Sequence, residues 1–166
     1  SNPVWAYLSL FISAFIENVF PPAPADMVVV LGAYFVGTRV LSGWMVYFST
    51  TAGSTAGFLS MYGIAYWLEK GVLEKKYMYW IEKESVVRIE NWFRLYGYRI
   101  ILANRFLAGL RSVISLVAGF SKLRFKKVLL YSFLSAALWN GLLILAGYQL
   151  GENWERLGIY LKNYSI

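Results

Sequence analysis

Apolar residues occur along this chain in long runs, and the length of each run predicts how it is used. The runs at 50–68 and 128–151 contain no charged residue and are long enough to cross about 30 Å of hydrocarbon as helices. Two other segments, 4–48 and 100–121, are equally apolar but are interrupted by charged residues or prolines. The pattern predicts an all-α, polytopic integral membrane protein that forms a single domain over residues 1–166.

The first interrupted segment, 4–48, breaks close to its middle. An apolar run reaches as far as Glu17, and Asp26 follows after three prolines, Pro21, Pro22 and Pro24. Proline removes amide donors and disfavours helix in the residue before it. Irregular backbone at membrane depth is tolerated only inside protein or beside water, so we predict a re-entrant hairpin. A proline-rich turn outside the membrane, between two ordinary spans, is the alternative.

The second interrupted segment, 100–121, contains Arg105 and Arg111, with Gly109 between them. An arginine at the bilayer centre costs a few kcal/mol on insertion scales. Both arginines should therefore face a cavity or a counter-charge. We predict a second re-entrant hairpin here.

Positive charges set the expected orientation. The positive-inside rule places the basic cluster at 122–127 in the cytoplasm, together with the charged segment 69–99. We predict that 69–99 forms an interfacial amphipathic helix or helical hairpin. The second hairpin then enters from the cytoplasm and the first from the opposite face. The two halves are inverted about the membrane plane, as in many secondary transporters.

Composition narrows the chemistry. The chain is 58% hydrophobic and 15% charged, and its net charge of +7 is what the positive-inside rule produces, so we expect no nucleic-acid partner. Cysteine and histidine are both absent, which removes thiolate and imidazole chemistry and most zinc or copper sites. We expect no metal and no cofactor. The lipid bilayer is the expected partner, and faces of small residues permit a homodimer.

The four ionisable residues inside apolar segments are the candidate site. Glu17 and Asp26 suit proton or cation coupling, and the alternative is an interfacial carboxylate at a helix end. Arg105 and Arg111 suit a lipid phosphate, because guanidinium groups give bidentate hydrogen bonds to phosphate oxygens. The alternatives for the arginines are snorkelling near a helix end and static pairing with the two acids.

Several other positions are weaker candidates. Asn104 and Asn140 are buried amides of the kind that join packed helices, and Tyr62 and Tyr148 suit an aromatic belt. The predicted structural loop positions are Pro21, Pro22, Pro24, Gly53, Gly57 and Gly109. For Gly53 and Gly57, close helix packing is the favoured interpretation.

Five stretches, taken in order, resemble the DedA family, the group of SNARE-associated or VTT-domain membrane proteins. They are Glu17–Asp26, Gly53–Tyr62, Asn104–Arg111, Ala118-Gly119 and Gly147–Gly151. The resemblance implies that Glu17 and Asp26 are the acidic pair of the first loop, and Arg105 and Arg111 the basic pair of the second. The chain departs from the family pattern in three places: Ala108 where proline is common, Phe58 where aspartate is common, and the pair Ala65-Tyr66 where Gly-Arg is common.

The resemblance also implies a function. Bacterial members of the family are implicated in moving undecaprenyl phosphate or related phospholipids between leaflets. We therefore expect a lipid-phosphate transporter of a bacterial or archaeal cell (inner) membrane, independent of ATP and not an enzyme. Two alternatives stay open: a membrane-bound lipid phosphatase or lipid-modifying enzyme with Glu17 or Asp26 as its base, and a non-catalytic membrane homeostasis or assembly factor.

Overall fold

The fold is known from a computed structural model that describes residues 3–20, 25–68, 83–107 and 109–164, with the backbone alone at 150–164. Every regular element in these residues is a helix, which confirms the all-α class. The helices are α1 (Pro3–Val19), α2 (Ala25–Gly37), α3 (Gly43–Trp67), α4 (Lys83–Tyr96), α5 (Arg99–Ala103), a 3₁₀ turn (Asn104–Phe106), α6 (Arg111–Phe120) and α7 (Phe125–Tyr164).

Helices α1 and α3 pack with their backbones in direct contact. A Cβ atom on Gly53 would overlap the carbonyl oxygen of Phe11, and one on Gly57 would overlap that of Phe15. Because the contacting positions advance by four residues along both helices, α1 and α3 run in the same direction. Gly53 and Gly57 therefore lie in the middle of a helix rather than in a loop, where only glycine permits this approach.

Helix α7 runs antiparallel to α3. Tyr47 contacts Gly141, Thr51 contacts Asn140, and Tyr62 contacts Leu123 just before α7, so positions along the α7 segment fall as those on α3 rise. Helix α2 runs in the same direction as α7, since Asp26 contacts Trp139 and Ala33 contacts Gly147. It is thus antiparallel to α1.

The chain from α5 through the 3₁₀ turn follows α7 at a constant register. The contacts pair Tyr98 with Tyr131, Leu102 with Ser135 and Phe106 with Trp139, a separation of 33 residues each time. This segment therefore runs in the direction of α7 and opposite to α1. The chain then reverses between Leu107 and Leu110, where the amide of Leu110 donates to the carbonyl of Leu107. Gly109 adopts φ +82° in this turn.

The ends of α1 and α5 consequently point toward each other. Helices α1 and α2 form one helical pair, and α5 with α6 forms the other, and the two pairs approach from opposite ends of the bundle. Residues 21–24, which include the three loop prolines, and residue 108 lie outside the described residues.

Both predicted spans are parts of longer helices, and α7 covers Phe125–Tyr164 where the predicted span is 128–151. Helix α3 begins at Gly43, seven residues before the predicted start of the span at Thr50, and is 25 residues long. Helix α2 ends at Gly37, and Arg39 then adopts φ 58°. A residue in this left-handed conformation is a common way for a helix to end. The break coincides with Gly37-Thr38-Arg39, which interrupts the apolar segment 4–48.

One helix in the described part of the chain is long and apolar enough to cross a membrane by length and composition, the 25 residues Phe125–Gln149 of α7. Helices α1 and α2 are apolar but have only 17 and 13 residues. At 1.5 Å per residue they extend about 26 and 20 Å, less than the hydrocarbon thickness of about 30 Å.

The basic residues gather at one end of the bundle. The Lys122 ammonium donates to the carbonyl of Tyr66, and the amide of Arg124 donates to the hydroxyl of Tyr98 at 3.1 Å. The end of α3, the start of α5 and the turn at 121–124 therefore meet, and we call this the basic end. Helix α4, the described part of the predicted amphipathic segment, packs Ile89 into the core and exposes Arg88 and Arg94.

Candidate functional site

Four charged side chains meet where the two helical pairs converge. Arg105 Nη1 lies 3.2 Å from Glu17 Oε2 and 3.8 Å from Asp26 Oδ1. Arg111 Nη2 lies 2.8 Å from Asp26 Oδ2, and Arg111 Nη1 pairs with Glu17 Oε1. Each guanidinium group thus contacts both carboxylates. We call these four residues the charge network; its formal charge is zero.

Two members of the charge network stand against the dipole of their own helix. Glu17 lies in the last turn of α1, where the partial charge is negative, and Arg111 is the first residue of α6, where it is positive. Asp26, in the first turn of α2, is favourably placed. The ion pair between Glu17 and Arg111 offsets both unfavourable placements and joins the first helical pair to the second.

Burial is unequal across the network. The exposed fractions of the side chains are 2% for Arg105, 5% for Glu17 and 7% for Arg111, but 33% for Asp26. Asp26 also accepts a hydrogen bond from the indole Nε1 of Trp139 at 3.0 Å. Asp26 is therefore the residue of the charge network that is most accessible from outside the protein. Trp139 of α7 fixes the orientation of its carboxylate.

The guanidinium groups retain hydrogen-bonding capacity. Arg105 Nη2 and Arg111 Nε are buried and have no hydrogen-bond partner among the described residues. A buried donor without an acceptor costs about 1–3 kcal/mol. An acceptor with several oxygens, such as a phosphate, can satisfy these donors, since guanidinium geometry matches phosphate geometry.

Comparison with known proteins identifies the family. The family model described as the VTT domain matches residues 22–149, a stretch that contains three of the four network residues. The chain belongs to the VTT-domain family. The resemblance to the DedA group that the sequence indicated is thereby confirmed, and with it the membrane class of the protein.

Individual VTT-domain relatives carry different names. An "Alkaline phosphatase-like protein" of Lactococcus lactis is 30% identical over 97% of this chain and 78% of its own length. "Undecaprenyl phosphate transporter A" of Bacillus subtilis is 28% identical over 90% of this chain and 74% of its own. "Inner membrane protein YqjA" of Escherichia coli is 28% identical over 88% of this chain and 68% of its own length. No solved structure matches the chain.

The fold of this VTT-domain protein brings together all four ionisable residues that the sequence singled out. Gly109 lies in the turn between the two arginines, with φ +82°. The weaker candidates have separate positions: Asn140 donates to Thr51 at 3.3 Å, Tyr62 donates to the carbonyl of Leu123 at 2.6 Å, and Tyr148 is exposed on α7. Asn104 is buried directly before Arg105.

Sequence reasoning missed Trp139. An indole in the middle of a long apolar helix is a signal, because tryptophan in membrane proteins favours the two interfaces. Trp139 lies fourteen residues after the start of α7 and ten before Gln149, near the centre of the candidate span. With 7 tryptophans in the chain, the sequence does not show that this one reaches an aspartate.

Proposed function

We propose that this protein moves a lipid phosphate between the two leaflets of a bacterial inner membrane, and that the charge network is its binding site. The observation that carries the proposal is the pair of buried arginines that face two carboxylates between opposed helical pairs. The relatives named "Undecaprenyl phosphate transporter A", from Bacillus subtilis and from Staphylococcus aureus, support the substrate class.

In this proposal each helical pair is a re-entrant hairpin. Helices α1 and α2 are shorter than the hydrocarbon thickness, and α1 runs opposite to α5, so the hairpins enter from opposite faces. Trp139 contacts both hairpins, through Asp26 of the first and Phe106 of the second, near the middle of α7. The binding site then lies near the bilayer midplane, as in transporters built from inverted repeats.

An incoming phosphate must compete with the carboxylates for the arginines. The network is neutral, so adding an anion leaves an uncompensated buried negative charge unless a carboxylate moves away or takes up a proton. Asp26 is the carboxylate better placed to move away, because a third of its side chain is exposed, and Glu17 is then the one that takes up a proton. Competition of this kind couples lipid binding to a proton or cation through Asp26 or Glu17.

The test of substrate recognition is the Arg111→Lys variant in reconstituted vesicles. Lysine keeps the charge but removes the bidentate geometry. Hydrogen bonds to charged groups contribute about 1.5–3 kcal/mol, so transfer of a fluorescent lipid phosphate between leaflets should slow about 10- to 100-fold. Arg99→Lys, an exposed arginine at the start of α5, is the matched control. Equal rates for Arg111→Lys and the unmodified protein would refute bidentate recognition.

Coupling needs a separate measurement. An imposed pH gradient should drive net movement of the lipid phosphate in the unmodified protein. Glu17→Gln should abolish the response to the gradient while headgroup binding remains. A gradient response that survives in both Glu17→Gln and Asp26→Asn would exclude these carboxylates from coupling.

A second candidate function follows from the relatives named "Alkaline phosphatase-like protein". Hydrolysis would use Asp26 or Glu17 as base, since the chain has no histidine or cysteine. The measurement is release of inorganic phosphate from a lipid phosphate by purified protein. Release that disappears in Asp26→Asn or Glu17→Gln would replace the transport proposal with an enzymatic one.

A further inference from the structure

A cavity of about 460 Å³ opens at the basic end, well away from the charge network. It lies between the last turns of α3 and residues 122–125. Phe125 lines it and precedes Trp139 by fourteen residues, about 21 Å along α7. The cavity is therefore a separate feature from the site at the tips of the hairpins.

The polar lining of this cavity is positively charged. Lys122 and Arg124 both line it, and its described lining includes no acidic residue. Lys122 adopts φ 50°, and its ammonium donates to the carbonyl of Tyr66 and lies 4.2 Å from the centroid of the Tyr66 ring. The side chain of Lys122 is thus fixed at the wall, and Arg124 is exposed beside it.

The remaining wall is aromatic and apolar. Trp67 lines the cavity with 85% of its surface exposed, next to Tyr66. Exposed tryptophan and tyrosine beside basic residues are typical of the headgroup level of a membrane. A site with two cations, aromatic walls and an apolar floor is complementary to a phosphate that is attached to hydrocarbon chains.

We propose that this cavity binds the headgroup of an anionic phospholipid, with Arg124 and Lys122 facing the phosphate and Trp67 beside the glycerol and upper acyl chain. The proposal does not depend on transport by the charge network. It assigns a peripheral lipid site to the basic end, where these side chains lie at the depth of the lipid headgroups.

The test is a titration of detergent-solubilised protein with phosphatidylglycerol that carries brominated acyl chains, followed by quenching of tryptophan fluorescence. Arg124→Gln should weaken binding about fivefold, and adding Lys122→Asn should weaken it about fivefold again. Asparagine suits position 122 because it tolerates positive φ. Phosphatidylcholine should not compete, since its headgroup has no net charge.

A substitution at Gly63 can block the cavity without changing its charge. It lines the cavity, and a Cβ atom there would meet no described atom within 4 Å. Gly63→Leu should therefore fill the cavity and weaken binding at least fivefold, whereas Gly63→Ala should change it less than twofold. Normal binding by Gly63→Leu would overturn the proposal.

Lys126→Gln is the matched control for charge, because Lys126 is exposed in the same cluster but does not line the cavity. An equal loss in Lys126→Gln and Arg124→Gln would overturn the proposal in favour of attraction to the whole basic surface. Inorganic phosphate that displaces the lipid at equal concentration would show a free-anion site instead. Unchanged binding in Arg111→Lys would support a site separate from the charge network.

Discussion

Removing the charge of Glu17 should destabilise the protein more than removing the charge of Asp26. Glu17→Gln and Asp26→Asn are nearly isosteric, so neither variant creates a cavity. Glu17 holds Arg105 at 3.2 Å, and without it the ionic contact left to Arg105 among the described residues is Asp26 at 3.8 Å. Because the side chain of Arg105 is only 2% exposed, its charge cannot be solvated by water.

The expected magnitudes follow from burial. Breaking a buried ion pair by removing one partner costs about 3–5 kcal/mol, and the amide oxygen of glutamine keeps one acceptor, so Glu17→Gln should cost about 3 kcal/mol. Asp26 is 33% exposed, and its variant should cost about 1–2 kcal/mol. The double variant of Glu17→Gln with Arg105→Gln should cost about 2 kcal/mol less than the sum of its parts.

The assay is equilibrium unfolding in mixed micelles, followed by tryptophan fluorescence and by helical circular dichroism. The free energies of unfolding of the single and double variants then give the coupling between Glu17 and Arg105. Equal losses for Glu17→Gln and Asp26→Asn, or additive losses in the double variant, would refute the inference that Glu17 is the main buried partner of Arg105.

Three further substitutions test the packing around the site by the same unfolding assay. Gly57→Ala should cost about 1–3 kcal/mol, because its methyl group meets the backbone of α1. The methyl group of Gly63→Ala meets open space, so this variant should stabilise α3 by up to about 1 kcal/mol. Equal effects of the two variants would contradict the α1–α3 contact. Trp139→Phe removes one hydrogen bond to Asp26 and should cost about 1 kcal/mol, and an unchanged stability would contradict that bond. Gly109→Ala places an alanine at φ +82° and should cost about 1–2 kcal/mol. An unchanged stability would contradict this conformation of the turn.

The pairing of the four charges could be anticipated from the sequence. An ionised side chain within an apolar segment has few ways to be stabilised, and opposite charges on another such segment are the most direct. Two acids near one chain reversal and two arginines near another therefore predict their own contact. The positive-inside rule likewise anticipated that the basic cluster and the start of α5 share one end, as Lys122 and Arg124 show.

Other features depend on tertiary contacts that no local pattern encodes. The reversal between α2 and α3 is an exception, because Gly37, Thr38 and Arg39 interrupt the apolar segment where it occurs. Gly53 and Gly57 indicate a small-residue face, but only the structure shows that α1 occupies it. The role of Trp139 depends on Asp26 of another helix, and the cavity beside Trp67 depends on residues 122–125 that lie across from the end of α3.

Replacing all four network residues by apolar ones separates a binding site from a structural support. Buried ion pairs contribute little net stability, because desolvation of the charges offsets their attraction, and apolar replacements of similar volume are often neutral or stabilising. The variant that combines Glu17→Met, Asp26→Leu, Arg105→Met and Arg111→Met should therefore fold, with the helical content of the unmodified protein. It should nevertheless lose lipid-phosphate transfer in vesicles and fail to complement a strain that lacks the protein. A folded variant that complements fully would show that the charges only join the hairpins, which is what a membrane assembly factor without a ligand requires.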